Sequence, residues 1–375
     1  MKLPRLLLFG VLIFGSICNA QREPKPEDAT TAVLHAFDTH NIVMFGETHG
    51  NKQEYEWLRS LVASPEFADK VDDVVMEFGN SLYQKSVDRY IAGEDVPPEQ
   101  VERAWRNTVG GIGPPSPVYA SLYQAVRETN LKRRGKHQIR ILCGDPYIDW
   151  EKVRDREDIA PYLENRDEWY TQVVKDEVLA KHHRALLIMG SLHFLRRQGP
   201  GTIERQLQEA GAKTYLIVFG TNAVGGYDDL DHRLDSWSAP AIVSLADNWV
   251  GELLAMPVIH GGEGGPKHVI VIGTPRPPLK LKDATDAMLY VGPRDSLTQV
   301  SMTRAELNDT AYGREIQRRL TIEGFPSSYG VGAERAESPQ FSRPQPDNGI
   351  SPSPLPAPPP KNMEPLPLPP RPPSQ

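Results

Sequence analysis

Cysteine is almost missing from this chain, with only Cys18 and Cys143 among 375 residues. Cys18 lies in an apolar leader, so the body keeps a single thiol and no intramolecular disulfide can form. Excess positive charge is also lacking. There are 42 Lys and Arg against 49 Asp and Glu, a net charge of −7. The first twenty residues carry Lys2 and Arg5 and no acid, so the chain without them stands at −7 − 2 = −9. That balance excludes nucleic acid as the expected partner. Several familiar signatures are absent too: no Gly-x-Ser-x-Gly elbow, no His-Glu-x-x-His, and no Gly-x-Gly-x-x-Gly after a strand. Gly261–His268, GGEGGPKH, lacks the second glycine and the hydroxyl residue of a phosphate loop. The common serine-hydrolase, zinc-protease and dinucleotide readings therefore fall away.

What is present divides into three parts. In residues 1–20, Lys2 and Arg5 precede the apolar run Leu6–Phe14, and Cys18-Asn19-Ala20 offers a small-x-small site. This is the pattern of a secretory signal peptide, too short to span a bilayer, with cleavage expected after Ala20. Ile17 disfavours a lipoprotein site at Cys18. An exported protein, periplasmic or extracellular, with no transmembrane segment in the mature chain is expected. At the other end, residues 331–375 read as a proline-rich disordered tail, since 15 of the 37 residues from Pro339 onward are proline. Such a segment samples polyproline II and stays solvated. Residues 28–330 remain as one globular unit, long enough to bury a full core.

Within that unit, apolar β-branched runs alternate with amphipathic stretches. Strands are expected at Ile42–Phe45, Val71–Phe78, Gln138–Cys143, Ala185–Met189, Thr214–Phe219, Ala241–Leu245, His268–Ile272 and Ala287–Val291. Helices are expected at Gln53–Ala63, Val118–Thr129, Arg166–Lys181, Thr202–Ala210 and Arg304–Leu320. Nearly continuous apolar strands separated by helices predict a three-layer α/β fold, a mostly parallel sheet covered on both faces. Ligands bind such sheets beyond the carboxyl ends of the strands, so a strand-end cleft is expected.

The groups delivered to that edge are unusually polar. NIVMFGETHG (41–50) runs an apolar strand into Gly46, read as a turn, then Glu47 and His49 two apart and able to project to one side. The second strand ends with Glu77, the third with Asp145 after Gly144, and the fourth with His193 after Gly190. Gly46–His49 and Gly190–His193 share the form Gly-x-x-His. Each residue alone has a plain structural explanation, such as a helix cap, a salt-bridge partner or a satisfied core histidine. Together they form two imidazoles and two or three carboxylates on one edge. That set suits a divalent ion such as zinc, manganese or iron, held by His49, Glu77 and His193. It suits equally a metal-free site in which histidine activates water and glutamate orients it. Arg59, with Arg196 or Arg197, could bind an anionic group or stabilise an oxyanion. Cys143 beside Asp145 reads as a buried, inert thiol.

GETHG, MEFG, GDP and GSLHF, in this order and each after a strand, resemble the superfamily that unites erythromycin esterase-like hydrolases, ChaN-like haem-binding uptake proteins and Tiki/TraB proteases. The resemblance covers about Asp28 to Phe194. It implies an α/β sheet with one strand-end pocket. On the esterase side it would make His49 the base, with Glu77, Arg59 and His193 around the attacking water. On the Tiki side, His49, His193 and Glu77 would hold a metal. On the ChaN side the pocket would take haem or iron, with Tyr147 and Asp145 near the edge as cofactor-binding candidates. Glu47 stands two residues before His49, the ChaN-like spacing. The expectation is a hydrolase acting on the ester or amide bond of a small molecule or peptide, with haem or iron uptake as the alternative. The sequence does not give the oligomeric state.

Overall fold

The computed structural model describes residues 22–109, 116–196, 203–220, 230–255, 259–260, 270–271, 279–324 and 337–339. The leader and most of the proline-rich tail lie outside the described residues.

Strands form chiefly where an apolar run buries its side chains on both faces, as at 42–45 and 185–189. In chain order these are β1 (Glu27–Asp28), β2 (Ile42–Glu47), β3 (Asp73–Asn80), β4 (Arg140–Asp145), β5 (Ala185–Gly190), β6 (Thr214–Phe219), β7 (Ala241–Ser244), β8 (Ile259–His260), β9 (Ile270–Val271) and β10 (Ala287–Tyr290). Eight of them form one sheet in the order β1-β7-β10-β6-β2-β5-β3-β4. Only β7 runs against its neighbours, β1 and β10. Along β2, Val43 and Phe45 enter one core layer, while Ile42 and Met44 enter the other. The same alternation holds in β5, where Leu186 and Ile188 oppose Leu187 and Met189. The first layer is closed by helices that include Lys52–Ala63 and Val118–Lys132, the second by Arg166–Glu177 and Ile203–Glu209. The expected three-layer α/β fold is the fold observed.

Sheet order positions the site. After β2 the chain passes over to β3 and β4, then returns to lay β5 between β2 and β3, and β6 on the far side of β2. The exits of β2, β5 and β3 thus converge where the winding reverses, the place where such sheets open a crevice.

The sequence reading is corrected in three places. Of the expected strand His268–Ile272, the described part is Ile270–Val271, which pairs with Ile259–His260 in a separate ladder outside the main sheet. The single helix expected at Arg304–Leu320 is two, Arg304–Asp309 and Ala311–Glu323, because Thr310 leaves helical geometry and its side chain caps the Gly313 N–H. Third, three residues of the expected tail form β12 (Glu337–Pro339), paired antiparallel with β11 (Thr298–Val300). Proline is tolerated there because the strand lies at a ladder edge. Among the described residues no helix is long and apolar enough to cross a membrane.

Candidate active site

The first motif folds differently from the reading in one detail. β2 continues through Gly46 to Glu47, and the left-handed turn falls at Gly50, whose φ is 78°. Gly46 serves close packing instead, since a Cβ there would sit 2.9 Å from the Ser191 Cα. The turn ends at Asn51, whose side chain accepts the Glu54 N–H at 2.8 Å and caps the following helix.

Two imidazoles face one carboxylate. His49 Nδ1 is 3.0 Å from Glu47 Oε1, and His193 Nδ1 is 2.6 Å from Asp167 Oδ1. An ionised carboxylate only accepts, so each Nδ1 carries hydrogen and each Nε2 is free to take a proton. Both Nε2 atoms lie 3.9 Å from the same atom, Glu77 Oε1. Glu77 is buried and held from behind. Its Oε2 accepts the Gly190 N–H at 2.6 Å, and its Oε1 is 3.0 Å from Arg166 Nη1. Arg166 is itself buried and donates from Nε to Asp145 Oδ1 at 2.7 Å. Asp145 Oδ2 accepts the Val109 N–H at 2.5 Å. Gly190 leaves room for all this: a Cβ there would lie 2.8 Å from His49 Cε1 and 3.1 Å from its Nε2.

The charges follow from burial and pairing. Burial pushes Glu77 upward, but Arg166, His49, His193 and the Gly190 N–H outweigh it and hold its pKa at about 2. Glu77 is therefore anionic at any ordinary pH. Burial works against the His49 imidazolium, yet Glu77 and Glu47 together lift its pKa above the usual histidine value. Burial carries Asp145 up to about 7 against the pull of Arg166 and the Val109 N–H. Glu54, buried beside the motif and accepting the Thr48 N–H at 3.0 Å, is raised well above a normal carboxyl by burial and then by Glu47.

Of the residues chosen from sequence, Glu47, His49, Glu77 and His193 thus meet in one cluster. Asp145 is near, but its two oxygens hold Arg166 and Val109. Tyr147 is half-buried and packs against the second core layer. Arg59 is elsewhere. It shares the outward face of its helix with Glu56, Ser60 and Ala63, the i, i+3, i+4, i+7 stripe opposite buried Glu54, Tyr55, Leu58 and Leu61. There it lines a surface groove with Glu128 and Lys132. Arg196 is committed to Glu204 and Asp286. Arg197 lies outside the described residues.

Sequence reasoning missed Arg166, Asp167 and Glu54. One signal pointed to the first: two strand-end carboxylates, Glu77 and Asp145, require a buried cation between them. Nothing in helical periodicity distinguishes Arg166 or Asp167 from ordinary first-turn residues.

The sequence left a divalent cation and a metal-free site as alternatives here, and the donors could hold an ion. Glu47, His49 and Glu77 each offer a ligand atom, all within 4.8 Å of one another. Among the described residues Glu47 Oε2 is buried without a hydrogen-bond partner, and Glu77 Oε1 meets only the Arg166 ion pair and the two imidazoles at 3.9 Å. This trio differs from the expected set in having Glu47 where His193 was anticipated.

No family profile matches the chain, and no curated protein matches it in sequence. Solved structures do resemble it. A succinoglycan biosynthesis protein superposes with a TM-score of 0.45 at 10% identity, covering 72% of this chain and 95% of that one. An erythromycin esterase variant in its open conformation gives 0.42 at 11%, covering 69% and 92%. ChaN of Campylobacter jejuni, solved with cofacial haem, gives 0.33 at 12%, covering 53% and 87%.

Proposed function

We propose that this exported chain is a hydrolase in which His49 activates water against an ester or amide carbonyl. The supporting observation is the pair of imidazoles, each fixed at Nδ1 by its own carboxylate and each presenting Nε2 at 3.9 Å to Glu77. A 3.9 Å separation is too long for a direct hydrogen bond and leaves space for a bridging water. In the reaction, neutral His49 takes a proton from water at Nε2 while the oxygen bonds to the carbonyl carbon. Glu47 keeps the ring oriented, and ionised Glu77 stabilises the imidazolium that forms. His193, protonated at Nε2 and oriented by Asp167, gives its proton to the leaving oxygen or nitrogen as that bond breaks. Exchange with solvent restores both rings. Positioned proton transfer of this kind contributes about 10²–10⁴-fold.

Glu47, His49 and Glu77 would hold a zinc, manganese or iron ion. Such an ion lowers the pKa of a bound water and polarises a carbonyl. Arg166, 3.0 Å from Glu77 Oε1, already places a positive charge against that carboxylate, which favours the metal-free form.

The test uses purified full-length chain, analysed for bound metal and assayed on chromogenic esters, amides and a peptide panel. His49→Ala is expected to lose about 10²–10⁴-fold in kcat while the chain remains folded. Glu77→Gln separates the two forms: a metal site loses its ion, whereas a metal-free site keeps its structure and loses rate. A wild-type chain that hydrolyses nothing, yet shows a Soret band on haem addition that His49→Ala abolishes, would replace this reading with haem uptake.

A further inference from the structure

The loop that carries His49 is strapped down from outside by β11. The Val300 N–H donates to the Gly50 carbonyl at 2.8 Å, and the Ser116 hydroxyl donates to the Val300 carbonyl at 2.5 Å. The Thr298 N–H donates to Gln53 Oε1 at 3.0 Å, while Gln53 Nε2 donates to the Ser296 carbonyl at 2.9 Å. Gln299 bridges Asn51, and its side chain donates to the His49 carbonyl at 3.3 Å. A strand turns the backbone groups of alternate residues to opposite edges. Since Thr298 and Val300 turn theirs inward to the His49 loop, the Gln299 N–H and C=O face outward. Outward is where β12 lies, in the register Thr298↔Pro339, Gln299↔Ser338 and Val300↔Glu337.

β12 is a weak occupant of that edge. It has three residues, Glu-Ser-Pro, none of them β-branched or aromatic, and it pairs with β11 alone. Glutamate and proline are poor strand formers, and isolated two-stranded ladders are marginal in water. In this register Pro339 stands opposite Thr298, whose backbone faces away, so no N–H is needed at that position. The attachment rests on the Gln299–Ser338 pair.

The geometry points to the outer edge of β11 as a docking edge for an extended polypeptide, filled in cis by Glu337–Pro339. A polypeptide that displaces β12 adds as a strand through main-chain hydrogen bonds to Gln299. It then runs antiparallel to β11 and one strand away from the His49 loop, about 10 Å from Asn51 at about 4.8 Å per strand step. The edge stands whether or not His49 activates water, and extended peptide is the ligand class it fits.

The experiment uses the full-length chain and the variant Ser338→Pro, which removes the N–H directed at Gln299 and lies outside the His–Glu cluster. The probe is a fluorescein-labelled peptide of residues 334–342 of this chain, followed by anisotropy. A segment tethered in the same chain competes at an effective concentration on the order of mM, so the peptide should bind Ser338→Pro more tightly than wild type. The same peptide N-methylated at its Ser338 amide should not bind. Equal binding to both chains, binding of the methylated peptide, or no binding to Ser338→Pro at mM concentrations would each overturn the assignment.

Discussion

Removing the Arg166 guanidinium tests the electrostatics of the site most directly. It lies buried between Glu77 and Asp145, 3.0 Å from the first and 2.7 Å from the second. Arg166→Met keeps most of the side-chain volume and leaves two carboxylates without their cation. Glu77 shows the scale. Its pKa falls from an ordinary 4.5 to about 2. At 1.36 kcal/mol per unit this is about 3 kcal/mol of differential stabilisation, with Arg166 the foremost contributor after the opposing cost of burial. Breaking a buried pair by removing one partner typically costs about 3–5 kcal/mol, and that range is the expected loss at pH 7. The pH dependence has a definite sign. In the wild type, Glu77 is depressed, so its contribution is complete above pH 4.5 and is lost only as pH falls toward 2. In the variant, burial acts on Glu77 and Asp145 unopposed by Arg166. An acid raised in the folded state destabilises as pH rises, because the native state then binds more protons than the unfolded one. The deficit should therefore shrink on going from pH 7 to pH 5, by about 1–3 kcal/mol. Urea unfolding of both proteins at the two pH values, with linear extrapolation, measures it. A deficit under about 1 kcal/mol at pH 7, or one that grows toward pH 5, would refute a buried cation that holds Glu77 ionised beside Asp145.

Three other changes probe the same cluster. Gly190→Ala places a methyl group 2.8 Å from His49 Cε1, so the ring must move, and activity on an ester substrate should drop about 10²-fold while circular dichroism is unaltered. Glu47→Gln removes one of the two charges that raise His49, so the acidic limb of kcat/KM should move to lower pH; a limb that moves upward or stays put shows that another group controls it. Gly50→Ala forces a side chain onto a φ of 78° with the Val300 carbonyl 2.7 Å from the new Cβ, and calorimetry should show a loss of about 1–3 kcal/mol.

The sheet was legible because burial on both faces writes itself as uninterrupted apolar runs, and six of the eight expected strands lie in its parallel or antiparallel ladders close to their expected limits. A seventh, Val71–Phe78, runs two residues further, from Asp73 to Asn80, because polar Glu77 and Asn80 still extend the strand once their partners are buried with them. Glu27–Asp28 carries no strand signal; β1 exists only because β7 offers it an edge. The acids and imidazoles of the site were legible for a related reason: polar groups directly after a buried strand stand out against their background. Arg166 and Asp167 do not, since a helix start routinely bears charge. Arg59 misled because a helix following a site motif has an inward and an outward face, and only the burial of Glu54, Tyr55 and Leu58 reveals which is which.

The missing residues change what the visible ones can do. Glu47, Glu77, Asp145 and Asp167 bring four carboxyl groups to one cluster, and Arg166 supplies one permanent positive charge. If both rings were neutral and all four acids ionised, the cluster would carry a charge of −3, a costly state around buried groups. Three responses lower that charge. Asp145 rises to about 7, burial pushes Glu47 upward, and His49 is drawn toward its protonated form. Glu77 cannot respond, because Arg166 and the Gly190 N–H keep it ionised. The proton that a water-activating His49 would have to lose is thus held by the fixed charge of Glu77, whose own ionisation depends on Arg166. Base strength at Nε2 is therefore set from behind the site. Neutralising Glu77 lowers the affinity of His49 for the proton, so rate and ring pKa must change together in Glu77→Gln.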